Sequence, residues 1–324
     1  MDKFKQFVKH LKAFDVVVIV FYVILSILHI IYRERIETWS IWIIVNLLII
    51  IIAFILAYLE TKFDNEFWNA VHYWYIVPVV LITFKELYFM IKPIRIYDHD
   101  AMFIAIDRWM FGTDPTHLLY QISNPVLTEI LQIVYGMFYL LPILLGLFLL
   151  KKKRYVAMDF SVFVIIYGFY LSYLGYFIWP GIGPRFTLHN FETVNQDLPG
   201  LFLTNFLRDI VNAGESISRG TPNPAEVVQR DIFPSGHTMI TLIVMYLSYR
   251  LKSRSRFFFV PVGTLLIFST VYLWYHYVID LLGGLVFMIF AVWSGKYIFN
   301  WWNRKIGKPE FEYVRYEPES VKNE

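Results

Sequence analysis

The sequence predicts an all-α, polytopic membrane protein, a helical bundle of eight spans. Three observations carry this. Of 324 residues, 57% are hydrophobic, 19% aromatic and only 17% charged, against roughly 25% charged in soluble chains. The apolar residues gather in runs near the ~20 residues that cross a hydrocarbon core. The charges fall between those runs, as in multi-pass proteins.

In order, the expected spans are 14–32 and 41–59, an N-terminal pair within residues 1–69, followed by 70–91, 126–150, 156–179, 237–252, 257–275 and 277–299. The first run follows Lys3, Lys5, Lys9 and Lys12 without a small-residue cleavage site, so it is expected to stay as a helix. Residues 257–299 carry one formal charge, Asp280, over about twice the length of a span. They are expected to fold back at Trp274-Tyr275-His276. Between spans, residues 93–125 interleave Asp98, Asp100, Asp107, Arg108 and Asp114 with Met102, Phe103, Ile104, Ile106, Trp109 and Phe111. That pattern suits an interfacial helix near 98–113. Residues 180–233 form a long, proline-bearing polar loop, and 303–324 a charged, loosely ordered tail beyond the 70–302 core.

With eight spans, 19 of the 29 Lys and Arg lie on the side shared by the termini and the 60–69, 151–155 and 250–256 loops, and 9 on the other. The positive side is expected to be cytoplasmic. The 180–236 loop, the start of the sixth span and the 274–276 turn then converge on the opposite face. The absence of cysteine excludes disulfides and thiolate chemistry, and a net charge of +3 argues for no nucleic-acid partner.

Chemistry concentrates in Phe233-Pro234-Ser235-Gly236-His237-Thr238 and in His276-Tyr277-Val278-Ile279-Asp280. On a helix, His276 and Asp280 share one face at i and i+4, where a carboxylate can hold one imidazole tautomer. Pro234 to His237 reads as a loop feeding a helix N-terminus, a natural anion cradle. A carboxylate-held histidine, a second histidine and such a cradle suggest phosphoryl chemistry. The alternatives are a structural pair at a helix end and an ordinary cap. Lys85 and Glu86, inside the third span, are expected to pair with other helices or lie near the interface. Arg208 and Arg219 read as solvated loop charges. No metal-ligand spacing links His29, His72, His99, His117 and His189.

These residues resemble the phosphatidic acid phosphatase type 2 superfamily over roughly 98–300. The family's SRxxxxxHxxxD motif stands here as Ser269-Thr270-Val271-Tyr272-Leu273-Trp274-Tyr275-His276-Tyr277-Val278-Ile279-Asp280, with Thr270 in place of Arg. Its KxxxxxxRP motif is matched only by Trp179-Pro180-Gly181-Ile182-Gly183-Pro184-Arg185. The lost Arg, with Ile106-Asp107-Arg108-Trp109-Met110-Phe111-Gly112-Thr113-Asp114-Pro115, is similar to the inositol phosphorylceramide synthase-like branch. The resemblance implies a six-helix phosphatase-type core and His276 as a nucleophile forming a phosphohistidine. In it Asp280 orients that ring, and His237 serves as acid and then base. Arg185, Arg230, Ser235 and the backbone at Gly236 and His237 would bind phosphate. It implies no metal and no cofactor. The substrate would be a lipid phosphate or phospholipid, attacked by water or by a lipid hydroxyl. A non-catalytic lipid-binding or transport protein remains the rival reading.

Overall fold

A chain in lipid must satisfy its own backbone polar groups, and apolar runs do so as helices. The structure, a computed structural model, describes residues 9–313 apart from 253, and among these it is helical with no strand. We number the longer helices α1 (Ala13–Ile31), α2 (Trp39–Phe63), α3 (Glu66–Trp74), α4 (Ile76–Ile94), α5 (Asp100–Phe111), α6 (Pro125–Gly136), α7 (Leu140–Lys151), α8 (Tyr155–Ile178), α9 (Thr204–Gly214), α10 (Gly236–Arg250), α11 (Arg256–Tyr272) and α12 (Val278–Ile306).

Five stretches are long and apolar enough to cross a bilayer: α1, α2, the 66–94 rod of α3 and α4, α8 and α12. The chain is a multi-pass helical bundle. Every expected span coincides with helix, with three differences. The 126–150 run is not one rod, because α6 and α7 meet at a 55° bend. Pro142 explains the break: it has no N–H to give and its ring collides with the carbonyl four residues back, at Phe138. The sixth and seventh spans, α10 and α11, have 15 and 17 residues, short of the ~20 of a full crossing. The tail expected from 303 is a correction: α12 runs on to Ile306, and Phe311 is buried, stacked on Phe160 at 4.0 Å. Asn300 holds this return by accepting from the Phe311 N–H at 2.7 Å. Lys3 and Lys5, and the tail from 314, lie outside the described residues.

Helix α8 is the hub, packed on α1, α4, α7, α10 and α12, while α10 also packs on α11 and α12. The N-terminal hairpin is tied on by buried polar groups. Glu86 on α4 is fully buried and pairs with His29 of α1 and Asn46 of α2, each at 2.9 Å. Lys85 reaches Ser216. Both residues therefore meet other segments, as expected of polar groups at membrane depth. Near the opposite ends of these helices His72 contacts Asp15 and Glu60, and Lys12 bridges Glu60 and Asp159.

Helix α5 lies outside the bundle with an amphipathic pattern opposite to the usual one. Asp100, Phe103 and Asp107 face the protein, while Trp109 is 83% exposed and Met102 and Phe111 are also exposed. The carboxylates turn inward because they cap backbone groups around the site.

Candidate active site

The turn between α11 and α12 presents His276. Helix α11 ends because the Thr270 carbonyl accepts from both the Tyr275 and His276 N–H groups, at 2.9 and 3.0 Å. The chain then passes through Trp274 with φ +65°, a left-handed conformation uncommon for a bulky residue. Its indole stacks on His189 at 3.7 Å, and its carbonyl accepts from the Arg185 N–H at 3.0 Å.

His276 and Asp280 do not share a helix face, as the sequence spacing suggests, because α12 starts only at Val278. Asp280 sits at the third helical position, where its carboxylate accepts from the Tyr277 N–H at 2.9 Å, a capping arrangement. The same Oδ2 lies 3.3 Å from His276 Nδ1. Asp280 is fully buried and its Oδ1 has no hydrogen-bond partner among the described residues. The contact places Nδ1 beside the carboxylate, with Nε2 on the other side of the ring. Burial, with His237 and Arg185 nearby, holds the His276 imidazole well below its usual pKa. It is therefore neutral near pH 7, and the ring also meets the Ile232 backbone.

His237 is the second residue of α10. Its ring centroid lies 5.6 Å from that of His276, near enough for one phosphoryl group to meet both. Tyr135 stacks on it at 4.6 Å and Phe138, at the bend, packs on it at 4.2 Å. The two histidine-bearing segments are joined directly, since the Ser235 N–H donates to the Asp280 carbonyl at 3.0 Å.

The expected phosphate ligands divide. Arg185 is buried beside the site, with its guanidinium 4.9 Å from the Tyr275 ring; it donates to Asn212 at 2.9 Å and pairs with Glu215. Gly236 lines the same cavity as His237. Ser235 is fully buried and its hydroxyl caps α10 by accepting from the Thr238 N–H at 3.2 Å, which takes it out of the cavity wall. Arg230 is not brought to the histidines. Its guanidinium donates to the carbonyls of Ala225, Glu226 and Val228 and faces Asp98 at 3.6 Å, in a groove shared with Arg35 and Lys92. Four sequence positions do not translate into proximity when the intervening chain turns Asp231 towards His237 and Arg230 away. Asp231 accordingly does not pair with Arg230; it lines the His237 cavity with Glu215. Arg208 is a further correction: it is 5% exposed, donating to Asn195 and to the Val194 and Leu198 carbonyls. Arg219 is exposed and pairs with Asp209. Among the described residues no group of acidic and histidine side chains could hold a metal ion.

Two positioning residues escaped the sequence reading. Asp107 is 2% exposed and accepts from the Val278 and Ile279 N–H groups at 2.8 and 2.9 Å, so it caps α12 from outside. Asp100 accepts from the Ile182 and Gly183 N–H groups and from the Tyr277 hydroxyl. Together they fix the Arg185 loop and the His276 turn. Asp107→Leu is expected to lower kcat about tenfold or more with little change in KM, and to cost ~1–3 kcal/mol for the two uncapped donors. Asp107→Asn, which keeps one acceptor oxygen, should recover part of both. Steady-state kinetics beside thermal melts in detergent check this; a fall in stability with kcat intact would leave Asp107 a purely structural cap.

A family model described as the PAP2 superfamily matches residues 101–294. The chain belongs to the PAP2 superfamily. The match takes in both histidines, Asp280, the loop before α10 and nearly all of α5. A curated relative, a PA-phosphatase related-family protein of Dictyostelium discoideum, is 25% identical over 146 residues. That alignment covers 45% of this chain but 23% of the relative, so the chain spans about a quarter of its length. No solved structure matches. Membership of the PAP2 superfamily supports phosphatase- or phosphotransferase-type chemistry in a membrane-embedded chain.

Proposed function

We propose that this PAP2 superfamily protein is a metal-independent lipid phosphatase or phosphotransferase working through a phosphohistidine. The observation that carries the reading is the buried His276–Asp280 contact beside His237. In this scheme His276 Nε2 attacks phosphorus, and the bond to the lipid oxygen breaks as His237, protonated by the acidic proton that the lipid phosphate brings into the site, donates that proton to the leaving oxygen. Asp280 stabilises the positive charge that the phosphorylated ring acquires. Arg185 and the N-terminus of α10 at Gly236 supply the positive field where charge develops on the phosphoryl oxygens. His237, now neutral, removes the proton from the incoming water or alcohol.

The second reading is head-group transfer to a lipid hydroxyl, as the resemblance to the inositol phosphorylceramide synthase-like branch implies. Thr270 favours it, being buried with its hydroxyl turned back on the Ile267 carbonyl where phosphatases of the family carry Arg. Residues 70–302 would form the catalytic core and 1–69 an accessory pair. The distribution of Lys and Arg supports cytoplasmic termini and a site on the other face.

The test is phosphate release from phosphatidic acid and other lipid phosphates by detergent-solubilised protein in EDTA, beside His276→Ala. Release by the parent and none by the variant is the expected result. Release by both proteins would remove His276 as the nucleophile, and release abolished by EDTA would remove metal independence.

A further inference from the structure

The end of the bundle away from the histidines carries a groove of about 700 Å³ along α12. The His276 turn precedes the first residue of α12, and Lys296 stands about 27 Å along that helix from Val278. The groove therefore has no part in the phosphoryl site. One wall is α12 itself. The other is Tyr246 of α10 with Tyr313 of the returning segment, edge to face at 5.7 Å. Buried Phe311 and its N–H bond to Asn300 hold that second wall in place.

The side chains of α12 change in order along the groove. Leu285, Met288, Ile289 and Val292 come first, then Lys296 between Trp293 and Tyr297, and last Asn300 and Arg304. Their spacings of three and four residues keep them on one side of the helix. The apolar part between Leu285 and Lys296 is about 16 Å long, close to the ~15 Å half-thickness of a hydrocarbon core. Ile289 lines the groove while 57% exposed, so this part lies open to lipid. Aromatic rings beside a lysine mark the depth at which hydrocarbon gives way to head groups.

The charges at that depth are not all neutralised. Arg304 pairs with Glu310 at 3.1 Å. Lys296 has no carboxylate partner among the described residues; its ammonium lies 5.5 Å from the centre of the Tyr313 ring. The Arg250 guanidinium lies 4.6 Å from the same ring and is likewise in no ion pair. Two cations thus meet at one aromatic ring, at the head-group end of an apolar channel one leaflet deep.

We propose that this groove holds a phospholipid with a net negative head group, drawn from the leaflet that the Arg250 end of the bundle faces. One acyl chain lies along residues 285–292, and the phosphate meets Lys296 and Arg250. A zwitterionic head group would bring its own cation among these two, which is why the groove distinguishes between lipids. This lipid is bound and not turned over, since the reacting histidines stand at the far end of α12.

The test supplies the detergent-solubilised full chain with equal amounts of phosphatidylglycerol and phosphatidylcholine of the same chain length, and counts bound lipid by native mass spectrometry. The parent is expected to retain phosphatidylglycerol at least fivefold over phosphatidylcholine. Lys296→Gln combined with Arg250→Gln should remove that preference. Ile289→Trp fills the apolar part without changing charge and should lower the retention of phosphatidylglycerol fivefold or more. The control is Lys151→Gln with Lys152→Gln, two exposed cations outside the groove. They lie at the same end, since Arg154 of their loop donates to the Leu251 carbonyl at 2.6 Å. This pair should leave the preference intact. No preference in the parent would overturn the proposal, and so would an unchanged preference in the Lys296 and Arg250 variant. An equal loss in the control pair would do the same, because it would mean that overall charge and not the groove selects the lipid.

Discussion

Asp280→Asn is expected to slow phosphoenzyme formation by a factor on the order of 10³ to 10⁴, the scale seen when a charged partner of a catalytic histidine becomes neutral. The asparagine can still accept from the Tyr277 N–H, now 2.9 Å from Oδ2, so the start of α12 should survive. What it loses is charge. Phosphorylation of Nε2 makes the His276 ring cationic, in a site where the ring is 3% exposed and Asp280 not at all. In so dry an environment an opposing charge 3.3 Å from Nδ1 has few competitors. The asparagine amide can also turn its NH₂ towards Nδ1, which would place the ring proton on Nε2 and remove the nucleophile. Rapid-quench labelling with a lipid phosphate measures the step directly. A rate within tenfold of the parent would mean that Asp280 serves only to cap α12.

Much of this was legible in the sequence, for physical reasons. Lipid makes a spanning run long and uniformly apolar, so the helices declare themselves. The turn at 274–276 followed from length alone, because the 257–299 run is twice a span. His237, His276 and Asp280 stood out because polar groups are scarce in such runs. The missing parts depend on contacts between distant segments. Asp107 meets Val278 across 171 positions and Asp100 meets Tyr277 across 177. No local pattern announces such pairs, and an acidic, aromatic helix on its own reads as interfacial with its apolar side inward. The bend at 137–139 was hidden because uniform hydrophobicity carries no periodicity; Pro142 was the available sign. Arg230 misled because closeness in sequence to the Pro-Ser-Gly-His run stood in for closeness in space. Arg208 misled for the converse reason: a loop of more than fifty residues folds back and buries its own cation under three carbonyl and amide oxygens.

Gly284→Val tests the seam on which the whole site depends. A Cβ at this position would come within 2.8 Å of the Ser235 carbonyl oxygen, 3.0 Å of Thr238 Cβ and 3.2 Å of the Met239 N. Two of these are backbone atoms in the first turn of α10, and they cannot rotate aside. Helices α10 and α12 must therefore part, as small residues at such crossings exist to prevent. Parting them strains the Ser235–Asp280 backbone bond and carries His237, on α10, away from His276 and Asp280. Overpacking of this kind costs ~1–3 kcal/mol, yet the loss of activity should be greater than the loss of stability suggests, because the two halves of the site sit on opposite sides of the seam. The expected outcome is a lower melting temperature in detergent and a fall of at least a hundredfold in phosphoenzyme yield. Gly295→Ala, on the same helix, meets only side-chain atoms at ordinary contact distance, of Phe163 and Val164 at 3.4 Å and Tyr167 at 3.6 Å. It should melt at or slightly above the parent, since alanine is favoured over glycine within a helix by up to about 1 kcal/mol. If Gly284→Val instead melts and labels like the parent, α10 and α12 are not held at this distance, and the pairing of His237 with His276 must be set by some other contact.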